Sequence, residues 1–167
     1  APWCLRCGAP TGAQACAGDH ASLRGIRWAR APFGYAGTGG ALVRRLKLDG
    51  DFGAGTLLVR AMARCAVAMV RSPEWRRARL VAVPLHRSRL RARGFDQAQW
   101  LAAGIGRALC LDAPVAVLAR ARATLPQGDP RVVSRENNVE GAFAVSRPRA
   151  VVGKRVILID DVITSGA

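Results

Sequence analysis

Four branched apolar residues, Val156 to Ile159, run without interruption into two consecutive acids, Asp160 and Asp161, and soon after into a small-residue cluster, Thr164-Ser165-Gly166-Ala167. An apolar run with no polar alternation reads as a strand buried on both faces, the usual signature of a parallel sheet covered by helices. The acids end that strand sharply, because neither side chain belongs inside a dry sheet. The chain is therefore expected to fold as an α/β layer with the acids at the carboxyl edge of a buried strand.

The remaining segments fit such a layer. Leu80 to Leu85 is a second short apolar run, and Pro114 to Leu118 reads as a third strand. Thr38 is placed to cap a helix running through Leu42, Val43 and Leu46 to Lys47, broken by Asp49-Gly50-Asp51. From Ala54 to Val70, Leu58, Ala61, Met62, Cys65, Ala68 and Met69 recur at helical steps. A further helix opening at Phe95 carries Ala98, Leu101, Ala102, Ile105, Ala108 and Leu109 on one face, after a basic stretch, HRSRLRARG, that reads as a glycine-ended loop. Ile26, Trp28, Phe33 and Tyr35 suggest short extended pieces, and Phe143 to Val145 part of a strand. Residues from Arg120 to Val139 are polar and without period. At 167 residues there is material for one core and a small appendage.

No run approaches the roughly 18 to 20 uncharged apolar residues of a membrane span. The longest, Thr56 to Val70, is cut by Arg60 and Arg64. The chain opens on no signal-peptide pattern, and a cytoplasmic protein is the expectation. The formal net charge is +15, carried almost wholly by arginine, with lysine only at Lys47 and Lys154. Such a field suits phosphorylated small molecules or nucleic acid. It also fits a merely arginine-rich composition, because the charges are spread rather than blocked. Aromatic residues make up only 5%, which counts against recognition by base stacking.

In open parallel sheets ligands sit at the carboxyl ends of the strands. There Asp160 and Asp161 can accept hydrogen bonds from a vicinal diol or help hold a hydrated Mg²⁺. Backbone N–H groups of Thr164, Ser165, Gly166 and Ala167 can wrap a phosphate. A sugar phosphate fits both halves. The competing account is a strand ending in solvated aspartates before an ordinary turn. Arg93-Gly94, just ahead of a helix start, offers an anion site or else a solvated basic connector. Gln127, Arg135 and Asn138 belong either to a loop that closes over a diphosphate or to a surface loop with scattered polar groups.

Residues 1 to 22 form a compositional unit of cysteine, glycine, proline and alanine. Cys4-x₂-Cys7-Gly8 has knuckle spacing, Cys16 follows, and His20 completes C-x₃-H. Cys4, Cys7, Cys16 and His20 suit tetrahedral Zn²⁺, a staple for a segment too short to own a core. The alternative is reduced cysteines with no metal. Cys65 and Cys110 read as small buried hydrophobes.

The terminal string resembles the phosphoribosyl-pyrophosphate (PRPP) signature of type I phosphoribosyltransferases, which continues one threonine beyond Ala167. Together with the cysteine-rich start, Phe33-Gly34-Tyr35, Leu46-Lys47, Val83-Pro84-Leu85, the run from Arg93 to Ala98, Thr124 with Gln127, and Arg135 to Phe143, the chain resembles the ComF family. One departure is Asp96, where that family usually has asparagine. Asp19 stands where the family's second C-x₂-C would place a cysteine. The resemblance implies a type I phosphoribosyltransferase-like parallel sheet flanked by helices over residues 23–167, incomplete at its C-terminus, and a zinc knuckle over residues 1–22. It also implies a link to natural competence, the handling of incoming single-stranded DNA. Three functions follow as expectations. The chain is a phosphoribosyltransferase using PRPP and Mg²⁺, a non-catalytic single-stranded DNA-binding factor, or an adaptor that docks other competence proteins through its knuckle.

Overall fold

A left-handed glycine turns the first corner. The computed structural model describes residues 4, 6–8, 16, 20, 25–122 and 141–163. Helix α1 (Thr38–Asp49) ends at Gly50, whose φ of 63° and ψ of 25° a side chain would resist. Asp51 then caps helix α2 (Phe52–Val70), its carboxylate accepting from the Ala54 N–H at 2.9 Å. The Asp-Gly-Asp break is thus a C-cap and an N-cap back to back. Leu42, Val43 and Leu46 of α1 pack against Ala54, Leu58 and Val59 of α2 in one buried cluster.

The buried face of α2 is Ala54, Gly55, Leu58, Val59, Ala63 and Val70, rotated from the expected one. Cys65 and Ala68 are exposed, and Cys110 is exposed at the left-handed C-cap of the helix Gln97–Leu109, so neither cysteine is a core residue. The reason is the neighbour. Gly55 and Gly104 let α2 approach helix α4 (Gln97–Leu109) closely, so the seam follows the small residues rather than the bulkiest stripe. Helix α2 is long and apolar enough to cross a membrane, and Arg60 and Arg64 are exposed along it while Leu58 and Val59 lie in the cluster shared with α4.

Strand β1 (Arg79–Ala82) pairs in parallel with strand β4 (Val156–Ile159), Leu80 opposite Ile157 and Ala82 opposite Ile159. Leu80, Ala82 and Ile159 face Ala98, Leu101, Ala102 and Ile105 of α4, which places α4 on the sheet and α2 and α1 beyond it. Val115 donates to the Leu80 carbonyl at 2.8 Å. That carbonyl points away from β4, so the segment expected as a strand from Pro114 to Leu118 touches the other edge of β1. The ladder of that segment begins only at β2 (Leu118–Arg120), which pairs antiparallel with β3 (Phe143–Val145), Arg120 opposite Phe143. A 3₁₀ turn at Pro148–Ala150 leads back toward β4. The architecture is mixed α/β with a small parallel sheet.

The stretch read as a basic loop is a helix, α3 (Arg87–Arg93). His86 caps it by accepting from the Ser88 N–H at 3.3 Å, and Gly94 ends it at φ 82°. Arginine and leucine favour helix well enough for seven residues once both ends are capped.

A methyl group on Gly104 would stand 2.7 Å from a methyl of Val59, a branched side chain with no room to swing. Gly104→Ala is therefore expected to destabilise by about 1–3 kcal/mol, outweighing the roughly 1 kcal/mol that alanine gains in helix propensity. In a Val59→Ala background the same change is expected to be neutral or stabilising, read by urea denaturation of the four variants.

Candidate functional site

The parallel ladder delivers the acids. Arg79 donates to the Arg155 carbonyl at 2.8 Å and Val83 to the Ile159 carbonyl at 2.9 Å, so pairing ends where Asp160 begins. The Asp161 N–H turns back onto Asp160 Oδ1 at 2.8 Å. The Asp161 side chain is only 5% exposed, and its Oδ1 meets Lys47 Nζ at 2.9 Å. Its Oδ2 is buried and has no hydrogen-bond partner among the described residues. Asp160 keeps an exposed face. Crowding by protein on its other sides, and then the Asp161 charge, push its carboxyl up to about 7, against the pull of the Asp161 N–H, Lys47 and Arg120.

Cations gather beside the acids. Lys47 is in the last turn of α1, and it also lines an open cleft of about 500 Å³ with Phe52, Arg89, Arg93 and Phe95. Arg89 and Arg93 reach this cleft from α3, and Arg93 Nη1 donates to Gln97 Oε1. On β2, burial first and Arg89 second pull the Arg120 guanidinium down from its usual value, while Asp160 opposes them. Lys47 thus joins two features, an acidic strand end and a basic cleft. Leu46-Lys47 belongs to the motifs of the resemblance without a role read for Lys47, and Arg89 and Arg120 carry no local motif. Their only signal in the sequence is residue type, and the fold supplies the convergence.

The bare helix N-terminus expected after Arg93-Gly94 is already filled. Asp96 Oδ1 accepts from the Gln99 N–H at 3.0 Å, and Oδ2 accepts from the Leu85 N–H at 2.8 Å. A carboxylate therefore occupies the place an anion would take on α4, and it ties the end of the Val83-Pro84-Leu85 segment to that helix. Gly94 serves as the C-cap of α3. Thr164, Ser165, Gly166, Ala167, Gln127, Arg135 and Asn138 lie outside the described residues.

At the other end of the chain Cys4, Cys7, Cys16 and His20 bring their ligand atoms within 4.8 Å of one another. Cys4 Sγ lies 3.5 Å from His20 Nε2, and Cys7 Sγ 3.4 Å from Cys16 Sγ. A tetrahedral ion about 2.3 Å from sulfur and 2.0–2.1 Å from nitrogen needs ligand atoms roughly 3.5–3.8 Å apart. The Cys₃His cluster fits structural Zn²⁺, with His20 as its fourth member. N–H groups of Cys7 and Arg6 hold the Cys4 thiol down at about 6, the charge state a metal needs. Gly8 turns the knuckle at φ 72°, and a Cβ there would press on the Ala29 carbonyl at 2.7 Å. Ala29 in turn donates to the Arg6 carbonyl at 2.8 Å, which docks the knuckle on the segment that leads to α1.

The chain is similar to bacterial proteins described as DNA utilization proteins. It is 34% identical over 89 residues to the DNA utilization protein YhgH of Escherichia coli K12, which covers 53% of this chain and 38% of that protein. The YhgH proteins of Shigella flexneri and Escherichia coli O157:H7 match at 33% over the same 89 residues in length, with the same coverage. The homology is distant, and it bears out the family resemblance read from the motifs. The match spans 38% of the relatives' own length. No family model matches the chain, and no solved structure matches it.

Two outcomes follow from this geometry. Purified chain is expected to carry about one equivalent of zinc, and Cys16→Ser or His20→Ala to lose most of it, measured by a chromogenic chelator assay. Asp160 binds its proton more tightly when folded, with a carboxyl near 7 against an ordinary 3.8. Ionisation therefore costs stability as pH rises through that window. Asp160→Asn is expected to melt higher than the parent at pH 8 and to match it near pH 3.5, read by thermal melts across pH.

Proposed function

We propose, from the premise that this chain is a distant homologue of the DNA utilization protein YhgH, that it binds a ribose 5-phosphate compound, PRPP foremost, in the service of DNA utilization. The observation that carries this reading is the buried Asp161 Oδ2 with no hydrogen-bond partner among the described residues, beside an acid that holds its proton near neutrality. Perturbed, under-satisfied carboxylates at a strand's carboxyl edge are the mark of a ligand site rather than of a stability element. A ribose diol donates two hydrogen bonds to such a pair. The basic cleft alongside suits the phosphates.

Mg²⁺ fits the same donors. Asp160 and Asp161 would hold it, and it would neutralise charge on the diphosphate. Arg89 and Arg93 would take pyrophosphate oxygens, and Lys47 would release Asp161 to do the same. Thr164, Ser165, Gly166 and Ala167 complete the 5′-phosphate loop in this reading, while Gln127, Arg135 and Asn138 belong to the segment that closes over the ligand. On this reading residues 23–167 are a phosphoribosyltransferase-like domain, residues 1–22 a zinc knuckle, and the protein works in the cytoplasm. In a transferase the ribosyl carbon passes to an acceptor and pyrophosphate departs, with fixed charges stabilising the cationic sugar.

A second reading is a non-catalytic single-stranded DNA-binding factor. It is favoured by DNA utilization in the relatives' name and by the net charge of +15.

Titration calorimetry separates them. The chain is expected to bind PRPP with Mg²⁺, and Asp161→Asn to weaken it about 10- to 100-fold, the worth of a charged hydrogen bond. No heat from PRPP or ribose 5-phosphate in the presence of Mg²⁺ sinks the first reading. Pyrophosphate release on adding nucleobases would establish transfer.

A further inference from the structure

Two tryptophans far apart in sequence meet on the surface. Trp28, in the segment between the knuckle and α1, lies with its ring centroid 5.4 Å from that of Trp75, in the turn between α2 and β1, at an interplanar angle of 58°. The guanidinium of Arg30 stands over the Trp28 ring at 5.5 Å, and that of Arg155 over the Trp75 ring at 5.3 Å. The result is a column in the order Arg30, Trp28, Trp75, Arg155. It is drawn from three separate parts of the chain.

The column is rigidly based and open at its surface. Trp75 sits in a turn in which its own N–H and that of Arg76 both donate to the Ser72 carbonyl, at 3.1 and 3.3 Å. Trp28 is anchored next door through the Ala29–Arg6 hydrogen bond. Both rings are half-buried, and Arg30 and Arg155 are exposed. A purely structural clasp would hide its rings, since burying an indole is most of what such a clasp gains.

The electrostatics are one-sided. Arg27 and Arg30 flank Trp28, and Arg71, Arg76 and Arg77 share the turn of Trp75, all of them exposed. Among the described residues the turn itself contributes one acid, Glu74, whose carboxylate is held by Arg155 at 2.7 Å. A pair of indoles bracketed by guanidiniums, in a field rich in exposed arginine, matches a polymer of flat rings joined by phosphates. A paired duplex hides its base faces and offers nothing to the rings. An acidic peptide offers charge but no planes.

We propose that the Arg30–Trp28–Trp75–Arg155 column is a single-stranded nucleic acid platform, separate from the acidic strand end, on which unpaired bases stack while the flanking arginines neutralise phosphates. The choice of polymer rests on the DNA utilization reading, and it does not depend on which ligand the cleft takes. The platform joins the knuckle's docking segment to the α/β layer, so a strand bound there touches both.

The test is a fluorescence titration of the full chain with an oligothymidylate about 15 nucleotides long, within the reach of one single-strand binding unit. Tryptophan emission is expected to fall on binding, and affinity to drop steeply with salt. Trp28→Leu and Trp75→Leu are each expected to weaken binding about 10-fold or more, while Trp75→Phe stays within about threefold. Arg155→Gln, an exposed change that spares the rings, is expected to reduce the salt slope by about one. Equal affinity across these variants, equally tight binding of a blunt duplex or of polyglutamate, or displacement of the strand by excess PRPP would each overturn the platform. Asp161→Asn distinguishes the two sites: it is expected to weaken PRPP binding about 10- to 100-fold and leave the strand titration unchanged. A parent chain with strand binding but no PRPP heat refutes the cleft reading alone, and one with PRPP heat but indifferent tryptophan variants refutes the platform alone.

Discussion

Two carboxylates on consecutive residues repel, and a fold that holds them together where a dry strand ends must supply something in return. Here the return is partial. Lys47 neutralises one oxygen of Asp161, and the Asp161 N–H supports Asp160, but one buried oxygen has no partner among the described residues and one carboxyl is driven toward its protonated form. Buried polar atoms are nearly always satisfied in native proteins. An exception beside a basic cleft is therefore informative, because a cation or a hydroxyl pair removes both deficits at once.

The rest of the architecture bears on that spot. Lys47 can reach Asp161 because Gly50 and Asp51 end α1 and restart α2 within one sharp corner, leaving the last turn of α1 against the strand end. The corner is stable because α2 lies tightly on α4 through Gly55 and Gly104, and α4 lies on β1 and β4. Asp96 contributes from the other side, capping α4 while tying the Leu85 N–H to it. The position at which the resemblance expects asparagine thus has a structural use for a carboxylate.

Local pattern carried much of this in advance. The apolar strand runs, the Asp-Gly-Asp corner, the seam residues Leu101, Ala102 and Ile105, and the knuckle spacing are all signals written in neighbouring residues, and each is found in the structure, although Val156–Ile159 is not buried on both faces: Ile159 is buried and Leu158 is 50% exposed. What was illegible depended on packing between distant segments. The face of α2 follows two glycines that allow close approach, a choice no single-helix periodicity can make, and so Cys65 is exposed. The basic stretch before Gly94 has helix-forming residues whose end caps, His86 and Gly94, have in isolation the composition of a loop. Lys47, Arg89 and Arg120 converge from three elements.

Composition misleads for the same reason. An aromatic content of 5% argues against stacking only if the rings are scattered, and here two of the four tryptophans are brought together and bracketed by guanidiniums. The arginines likewise look evenly spread along the chain, yet folding brings Arg89 and Arg93 together with Lys47 in a cleft and sets others facing solvent around an indole pair. The first group is joined to Asp161 through Lys47, and a ligand that spans both would bring hydroxyls as well as phosphate. The second group is exposed along a run of arginines, so it favours an extended polyanion whose many weak contacts add. One uniform charge surplus therefore resolves into two surfaces with different requirements, and the difference between them is set by where the acids are.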